Sequence, residues 1–161
     1  MEGEAMKIAI GGDQAGYTLK ARLIDALQAW GHEVEHIGAE RGEEVDFPDI
    51  SQAACAALLA GRAERAILVC GTGIGACMAA NKVPGIRAAL CHDVHSAHQS
   101  VEHDNANVLC LGAQIVGEWL ALDLVRTYLN ARDDDREPYR RRLAKLAAIE
   151  QTATRRSPTI T

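Results

Sequence analysis

The feature that most constrains the fold is an apolar run that ends in a cysteine and continues into a glycine-rich turn, ILVCGTGIG at residues 67–75. The apolar residues predict a buried strand of a parallel sheet, and residues 76–82 predict a helix. Glycines at such a turn let the backbone approach a ligand closely, and the N–H groups there attract an anion. The thiol of Cys70 lies at this turn, where amide dipoles favour the thiolate. A base or nucleophile next to an anion site indicates catalysis.

Strand and helix patterns alternate five times along the chain. The predicted strands are residues 7–12, 32–37, 66–69, 86–91 and 107–111, and the predicted helices are residues 17–30, 50–60, 76–82, 92–102 and 115–130. This order predicts an α/β, three-layer Rossmann-like fold with a five-stranded parallel sheet. An extra C-terminal helix is predicted at residues 138–151. We expect one domain over residues 6–151, with flexible termini at residues 1–5 and 152–161.

Composition excludes several classes of protein. A formal net charge of -5 over 161 residues argues against nucleic-acid binding, which requires a basic face. No apolar run is long enough to cross a membrane, and the acidic residues 1–6 do not form a signal peptide. The 5 cysteines have no framework spacing, which indicates reduced thiols and a cytoplasmic location. All of them except Cys70 are expected to be small buried residues.

Several polar residues lie where chemistry is expected. Asp13 follows the first strand, where it is placed to accept a hydrogen bond from a sugar hydroxyl, to cap the next helix, or to do both. His103 lies in a polar turn before the fifth strand and can exchange protons near neutral pH. The spacing of His92, His95 and His98 predicts one helical face, which is more often solvated than metal-binding. We therefore predict no metal and no cofactor.

Arginines flank the last predicted helix, at Arg132, Arg136, Arg140, Arg141 and Arg142. A run of charges like this usually forms a solvated face. If the helix docks on a partner subunit, some of these arginines reach a phosphate in the neighbouring active site.

Longer motifs resemble the ribose-5-phosphate isomerase B family, which includes galactose-6-phosphate isomerase subunits. The matching segments are CGTGIG at residues 70–75, AANK at 79–82, GIRAA at 85–89, HDNANVLCLG at 103–112 and AIEQ at 148–151. The resemblance covers residues 7–151. It implies an aldose–ketose isomerase without a metal, whose leading substrate is ribose 5-phosphate. It also implies a homodimer or homotetramer with active sites shared between subunits.

The resemblance assigns a role to each matching residue. Cys70 would move a proton between C1 and C2 through an enediolate, with help from Thr72. His103 would open the furanose ring, and Asp13 would contribute near the ring oxygen or hydroxyls. The remaining substrate-binding residues are expected to be Gly71, Gly73, Gly75, Gln14, Asn81, Asp104, Gln114, Arg141 and Arg142.

The predicted phosphate site departs from the family pattern. Gln14 stands where many members have His, and Gln114 and Pro138 stand where they have Arg. Two explanations remain open. Either other cations, such as Arg140 or Arg141 and the histidines at 92 and 95, bind the phosphate, or the substrate is a different or unphosphorylated sugar, whose hydroxyls glutamines bind well.

A non-catalytic sugar- or nucleotide-binding module is the competing class of function, since a fold does not fix a function. The sequence retains Cys70, Thr72 and His103. A pure binder has little need of a poised base, so these residues favour the enzyme.

Overall fold

A computed structural model describes residues 4–155, in which five parallel strands form one sheet. The strands are β1 (Lys7–Gly12), β2 (Glu33–Gly38), β3 (Arg65–Cys70), β4 (Ala88–Leu90) and β5 (Val108–Gly112). The helices are α1 (Tyr17–Ala29), α2 (Phe47–Leu59), α3 (Ile74–Ala80), α4 (Val94–Glu102), α5 (Glu118–Asn130) and α6 (Glu137–Arg155). The strand order is β2-β1-β3-β5-β4. The predicted three-layer α/β fold with its extra C-terminal helix is confirmed.

Successive strand residues face opposite layers of helices, as the two-residue period of a strand requires. In β3, Ile67 and Val69 pack with α1, α4 and α5, whereas Leu68 and Cys70 pack with α2 and α3. The first layer contains bulky aliphatic side chains. The second layer is rich in alanine and cysteine, so α2 and α3 approach the sheet closely. Cys70 therefore lies under a layer of small side chains.

Helix α4 begins later than the sequence pattern predicts. The carboxylate of Asp93 accepts hydrogen bonds from the Ser96 N–H at 2.7 Å and from its hydroxyl at 2.6 Å, which makes Asp93 the N-cap. His92 therefore precedes the helix. The prediction that His92 shares a helical face with the two histidines that follow it is wrong.

Other boundaries shift by a few residues. α2 begins at Phe47 rather than at residue 50, because Pro48 is tolerated in the first turn of a helix. α3 begins two residues earlier and α5 three residues later than predicted, and β4 is shortened to three residues. α6 runs to Arg155 rather than ending at residue 151, and the Thr152 hydroxyl donates to the Ala148 carbonyl at 2.9 Å. Residues 1–3 and 156–161, part of the predicted flexible termini, lie outside the described residues.

None of the helices within residues 4–155 has the length and apolar character needed to span a membrane.

The carboxyl edge of the sheet depends on a close approach between α1 and β3. A Cβ atom added at Gly16 would lie 2.0 Å from the carbonyl oxygen of Val69. The clash is with backbone, so a side chain there would have to displace the start of α1 from β3. Val69 directly precedes Cys70, so this contact positions the catalytic candidate.

We expect Gly16→Ala to lower the free energy of unfolding by about 3 kcal/mol, because the added methyl overlaps backbone atoms. Chemical denaturation at fixed protein concentration measures the effect. Gly117→Ala is the matched control, because a Cβ there meets no atom within 4 Å. The control should lose no more than about 1 kcal/mol, the usual effect at an N-cap. Equal midpoints for wild type and Gly16→Ala would contradict the steric argument.

Candidate active site

Cys70 ends β3 and its thiol is held by the turn that follows. The residue is 6% exposed, and the N–H of Gly73 donates to its Sγ at 3.2 Å. Gly73 has a φ of 78°, and a Cβ there would lie 2.9 Å from the carbonyl carbon of Leu111. Only glycine satisfies both conditions. The turn thus folds back onto the end of β5 and points an amide at the thiol sulfur.

Asp13 reaches the same recess as Cys70. It is buried, and its Oδ1 accepts a hydrogen bond from the Gly16 N–H at 3.0 Å. The carboxylate therefore stabilises the turn that leads into α1. This role is similar to the helix-capping role predicted from the sequence. Phe47 and Ser51 of α2 also line this recess. Neither residue belongs to a recognisable sequence motif, so no local pattern pointed to them.

Two glutamines flank the recess at the carboxyl edge. The Oε1 of Gln14 accepts a hydrogen bond from the Val45 N–H at 3.1 Å, which ties the segment before α2 to the end of β1. The amide group of Gln114 lies over Gly71, at 3.1 to 3.5 Å from where a Cβ would be. The N–H of Gln114 also donates to the Gly71 carbonyl at 2.9 Å. The structure thus places Gln114 directly on the Cys70 turn.

Lys20 is a buried cation that the sequence pattern did not reveal. Its Nζ donates to the carbonyl oxygens of Ala39 at 2.9 Å and Ile37 at 3.3 Å, at the carboxyl end of β2. Burial lowers the pKa of this amine, against the opposing effect of Glu40 and Glu43. The two carbonyl contacts show that Lys20 anchors α1 to the end of β2, next to Gly12.

The structure does not bring His103 to Cys70 within one chain. His103 caps the C-terminus of α4 and precedes β5, so it lies at the amino edge of the sheet. Cys70 is paired in register with Gly112 at the opposite end of β5. A five-residue strand spans roughly 13 Å from first to last Cα. The two side chains therefore lie at opposite edges of the sheet.

The amino edge holds its own cluster, centred on Tyr139 of α6. The His103 ring stacks on the Tyr139 ring, with centroids 4.3 Å apart and an interplanar angle of 18°. The guanidinium carbon atoms of Arg136 and Arg142 lie 5.6 and 5.7 Å from the centre of the same ring. Arg141 instead pairs with Glu137 at 2.9 Å on the same helix. The exposed Asp104 follows His103. No sequence motif pointed to Tyr139, because its stacking on His103 is a tertiary contact.

Asn81 is engaged with β4. Its Oδ1 accepts from the Ala88 N–H and its Nδ2 donates to the Ala88 carbonyl, both at 2.9 Å. The side chain therefore imitates a neighbouring strand and fixes the end of α3 at the start of β4. Asn81 lies at the C-terminal end of α3, whereas the Cys70 turn lies at the N-terminal end of that helix.

Cys77 differs from the other cysteines outside the turn. It is half-buried, its thiol donates to the Ala88 carbonyl at 3.5 Å, and the Asn81 amide donates to its sulfur at 3.6 Å. A hydrogen bond from the Cys110 thiol lowers the pKa of Cys77 to about 7, despite the opposing effect of burial. Burial raises the pKa of Cys55 and of Cys91 to about 11. The expectation of a small buried residue is wrong for Cys77, which packs against the α2 and α3 layer but is only half-buried.

Comparison with known proteins identifies the family of the chain. A family model described as Ribose/Galactose Isomerase matches residues 8–146. The chain belongs to this family. D-erythrulose-4-phosphate isomerase 2 of Mycolicibacterium smegmatis is 40% identical over 149 residues, which cover 91% of this chain and 98% of that protein.

Solved structures show the same fold over nearly the whole isomerase. Ribose-5-phosphate isomerase B of Clostridium thermocellum has a TM-score of 0.89 at 44% identity, and the match covers 92% of this chain and 99% of that one. Ribose-5-phosphate isomerase B of Mycoplasma genitalium with bound ribulose-5-phosphate has a TM-score of 0.84 at 33% identity, covering 90% and 96%. The family resemblance stated from the sequence is confirmed, and the protein is an enzyme of the aldose–ketose isomerase class.

Alkylation by iodoacetamide tests the thiol environments. We expect the rate at Cys77 to rise with pH around a midpoint near 7, because only the thiolate reacts and its pKa is about 7. Below this pH the thiol is protonated and the rate falls. Cys55 and Cys91 are the internal controls and should stay unmodified until the protein is denatured. Peptide mapping by mass spectrometry separates the sites, and a Cys77 midpoint near the ordinary thiol value of about 8.5 would refute the assignment.

Proposed function

We propose that this isomerase interconverts ribose 5-phosphate and ribulose 5-phosphate, with Cys70 as the base that moves the proton. The observation that carries the proposal is the Cys70 thiol, held by the Gly73 N–H at 3.2 Å in a recess that Asp13 also lines. The resemblance of residues 7–151 to the ribose-5-phosphate isomerase B family supports the choice of substrate, as does the 44% identity to the C. thermocellum enzyme of that name.

The reaction needs one base and a site for a developing oxyanion. In the open-chain aldose, the Cys70 thiolate takes the proton from C2, the C2–H electron pair forms a C1=C2 bond, and the C1 carbonyl oxygen gains the negative charge. The amides of residues 71–75 are proposed to hold that oxygen, and Thr72 to assist. A proton passes from O2 to O1, Cys70 returns its proton to C1, and O2 becomes the ketone. The electrons stay within the sugar, so the reaction requires no cofactor.

The active site is proposed to form between two copies of the chain. Cys70, Asp13 and Gln114 lie at the carboxyl edge of the sheet, whereas His103 and Arg142 lie at the amino edge. A second copy that places its amino edge against this carboxyl edge would complete ring opening and phosphate binding in one site. We therefore propose a homodimer, or a homotetramer built from such dimers.

Exposed apolar surface supports this assembly. α6 has 19 residues and buries none of them in the described chain, although Leu146 and Ile149 are apolar. Ile74 and Met78 are exposed on α3, next to the Cys70 turn. An isolated helix of this kind gains its stability from packing, so a second copy is the natural partner for both surfaces.

A four-carbon sugar phosphate is the second candidate substrate. Two relatives, at 40% and 42% identity, are named D-erythrulose-4-phosphate isomerases. An aldotetrose phosphorylated on O4 cannot close a furanose ring, because O4 would have to be the ring oxygen. His103 would then have no ring to open, so its substitution separates the two candidates. An unphosphorylated sugar is a third possibility, favoured only by Gln14, Gln114 and Pro138.

A substrate panel tests the proposed function. We expect the highest kcat/KM with ribose 5-phosphate, compared with erythrose 4-phosphate and with ribose and erythrose. Cys70→Ala should lower kcat by at least about 100-fold on every substrate, because a general base contributes at least that much. Proton exchange at C2 in deuterated water, followed by NMR, should disappear with it.

Cys91→Ala is the matched control for this panel, since Cys91 is a buried thiol packed on the opposite face of the sheet. It should keep the activity and the proton exchange. Full activity of Cys70→Ala would exclude Cys70 as the base. A tetrose phosphate turned over faster than ribose 5-phosphate, and unaffected by His103→Ala, would establish the second candidate instead.

Mixed dimers test the shared site. We expect Cys70→Ala and His103→Ala to be inactive on ribose 5-phosphate when purified alone. A dimer containing one chain of each, isolated through two different affinity tags, should regain about half of the wild-type activity, because one of its two sites has both residues intact. If each site lay within one chain, the mixed dimer would stay inactive.

The control for the mixed dimer pairs Cys70→Ala with a chain that carries both substitutions. No site in that dimer contains Cys70 and a facing His103 together, so it should show no recovery.

A further inference from the structure

His92 occupies a place where the sheet lacks a strand. β4 ends at Leu90, which pairs in register with Cys110, whereas β5 continues to Gly112. The N–H of Gly112 points toward the β4 side, beyond the last residue of that strand. The Nε2 atom of His92 accepts this N–H at 3.1 Å. An imidazole thus replaces the strand carbonyl that would otherwise satisfy the amide.

The amide that His92 holds belongs to the floor of the Cys70 turn. Gly112 pairs with Cys70 across β3 and β5, and the N–H of the next residue, Ala113, donates to the Cys70 carbonyl at 2.8 Å. A Cβ added at Gly112 would lie 2.7 Å from both the carbonyl carbon and the oxygen of Thr72. A Cβ at Gly73 would lie 3.1 Å from the Gly112 nitrogen. Thr72 and Gly73 therefore rest directly on Gly112.

This hydrogen bond fixes the state of the imidazole. Nε2 accepts the Gly112 N–H through its lone pair, so the ring proton is on Nδ1. His92 lies before α4, so the helix does not set the direction of its side chain. The ring points toward β5.

We propose that His92 is a positioning residue for the isomerase reaction, acting through Gly112 to hold the Thr72–Gly73 turn against the Cys70 thiol. The inference rests on the proposed role of Cys70. Loss of the acceptor lets the end of β5 shift, and the Gly73 N–H then loses its alignment with the sulfur. Displacements of about 1 Å at a reacting group are enough to lower a rate substantially. The substrate contacts of Asp13 and Gln14 come from a different loop and stay in place.

Two substitutions separate the acceptor from the bulk of the ring. His92→Phe keeps a ring and removes the acceptor, whereas His92→Gln supplies a carbonyl oxygen near the position of Nε2. With ribose 5-phosphate, we expect kcat to fall by about tenfold or more in His92→Phe while KM changes by no more than about twofold. We expect His92→Gln to stay within about threefold of wild type. His36→Phe, at an exposed histidine on β2, is the control and should match wild type.

Hydrogen exchange followed by mass spectrometry provides a readout that needs no substrate. His92→Phe should speed exchange in the peptides that contain Gly112 and residues 71–75, and His92→Gln should not. Wild-type kcat in His92→Phe would overturn the inference. So would a His92→Gln variant as slow as His92→Phe despite normal exchange. If the wild-type protein turned over none of the sugars, the proposed function would fall, and the exchange comparison alone would decide whether His92 holds the Cys70 turn.

Discussion

All five strands of this isomerase run parallel, and that polarity governs where each functional side chain lies. Residues that follow a strand collect at the carboxyl edge, and residues that precede a strand collect at the amino edge. Cys70 ends β3 and His103 precedes β5, so within one chain the two residues lie at opposite edges of the sheet. In the proposed dimer, the amino edge of a second copy lies against the carboxyl edge of the first. Polarity thus links the architecture to the proposed assembly.

Close backbone contacts at glycines hold the carboxyl edge in register. Gly16 lies against Val69, and Gly73 and Gly112 bring the Cys70 turn onto the end of β5. A Cβ at any of these positions would lie within 2.0 to 2.9 Å of a backbone atom. The turn is therefore held rigidly by backbone contacts, and it presents the Gly73 amide to the Cys70 sulfur. This rigidity is what an electrostatically preorganised site requires.

Local patterns in the sequence were sufficient for the elements of the fold and for much of the carboxyl edge. Alternating strands and helices predicted the parallel sheet, and the run from Cys70 to Gly75 predicted the turn. Local patterns failed at boundaries set by single side chains, such as the Asp93 cap that starts α4 late. They also failed for Cys77, because its lowered pKa depends on the Cys110 thiol, which belongs to a different element.

The sequence by itself determined the family, the order of the elements and the position of Cys70 at the end of a buried strand, because these depend on periodicity, glycine placement and short motifs. Only the tertiary structure decided which residues meet. It placed Tyr139 on His103, Asn81 on Ala88 and His92 on Gly112. Each of these contacts joins residues from different segments of the fold, and it depends on how those segments are placed around the sheet. No local pattern encodes that geometry.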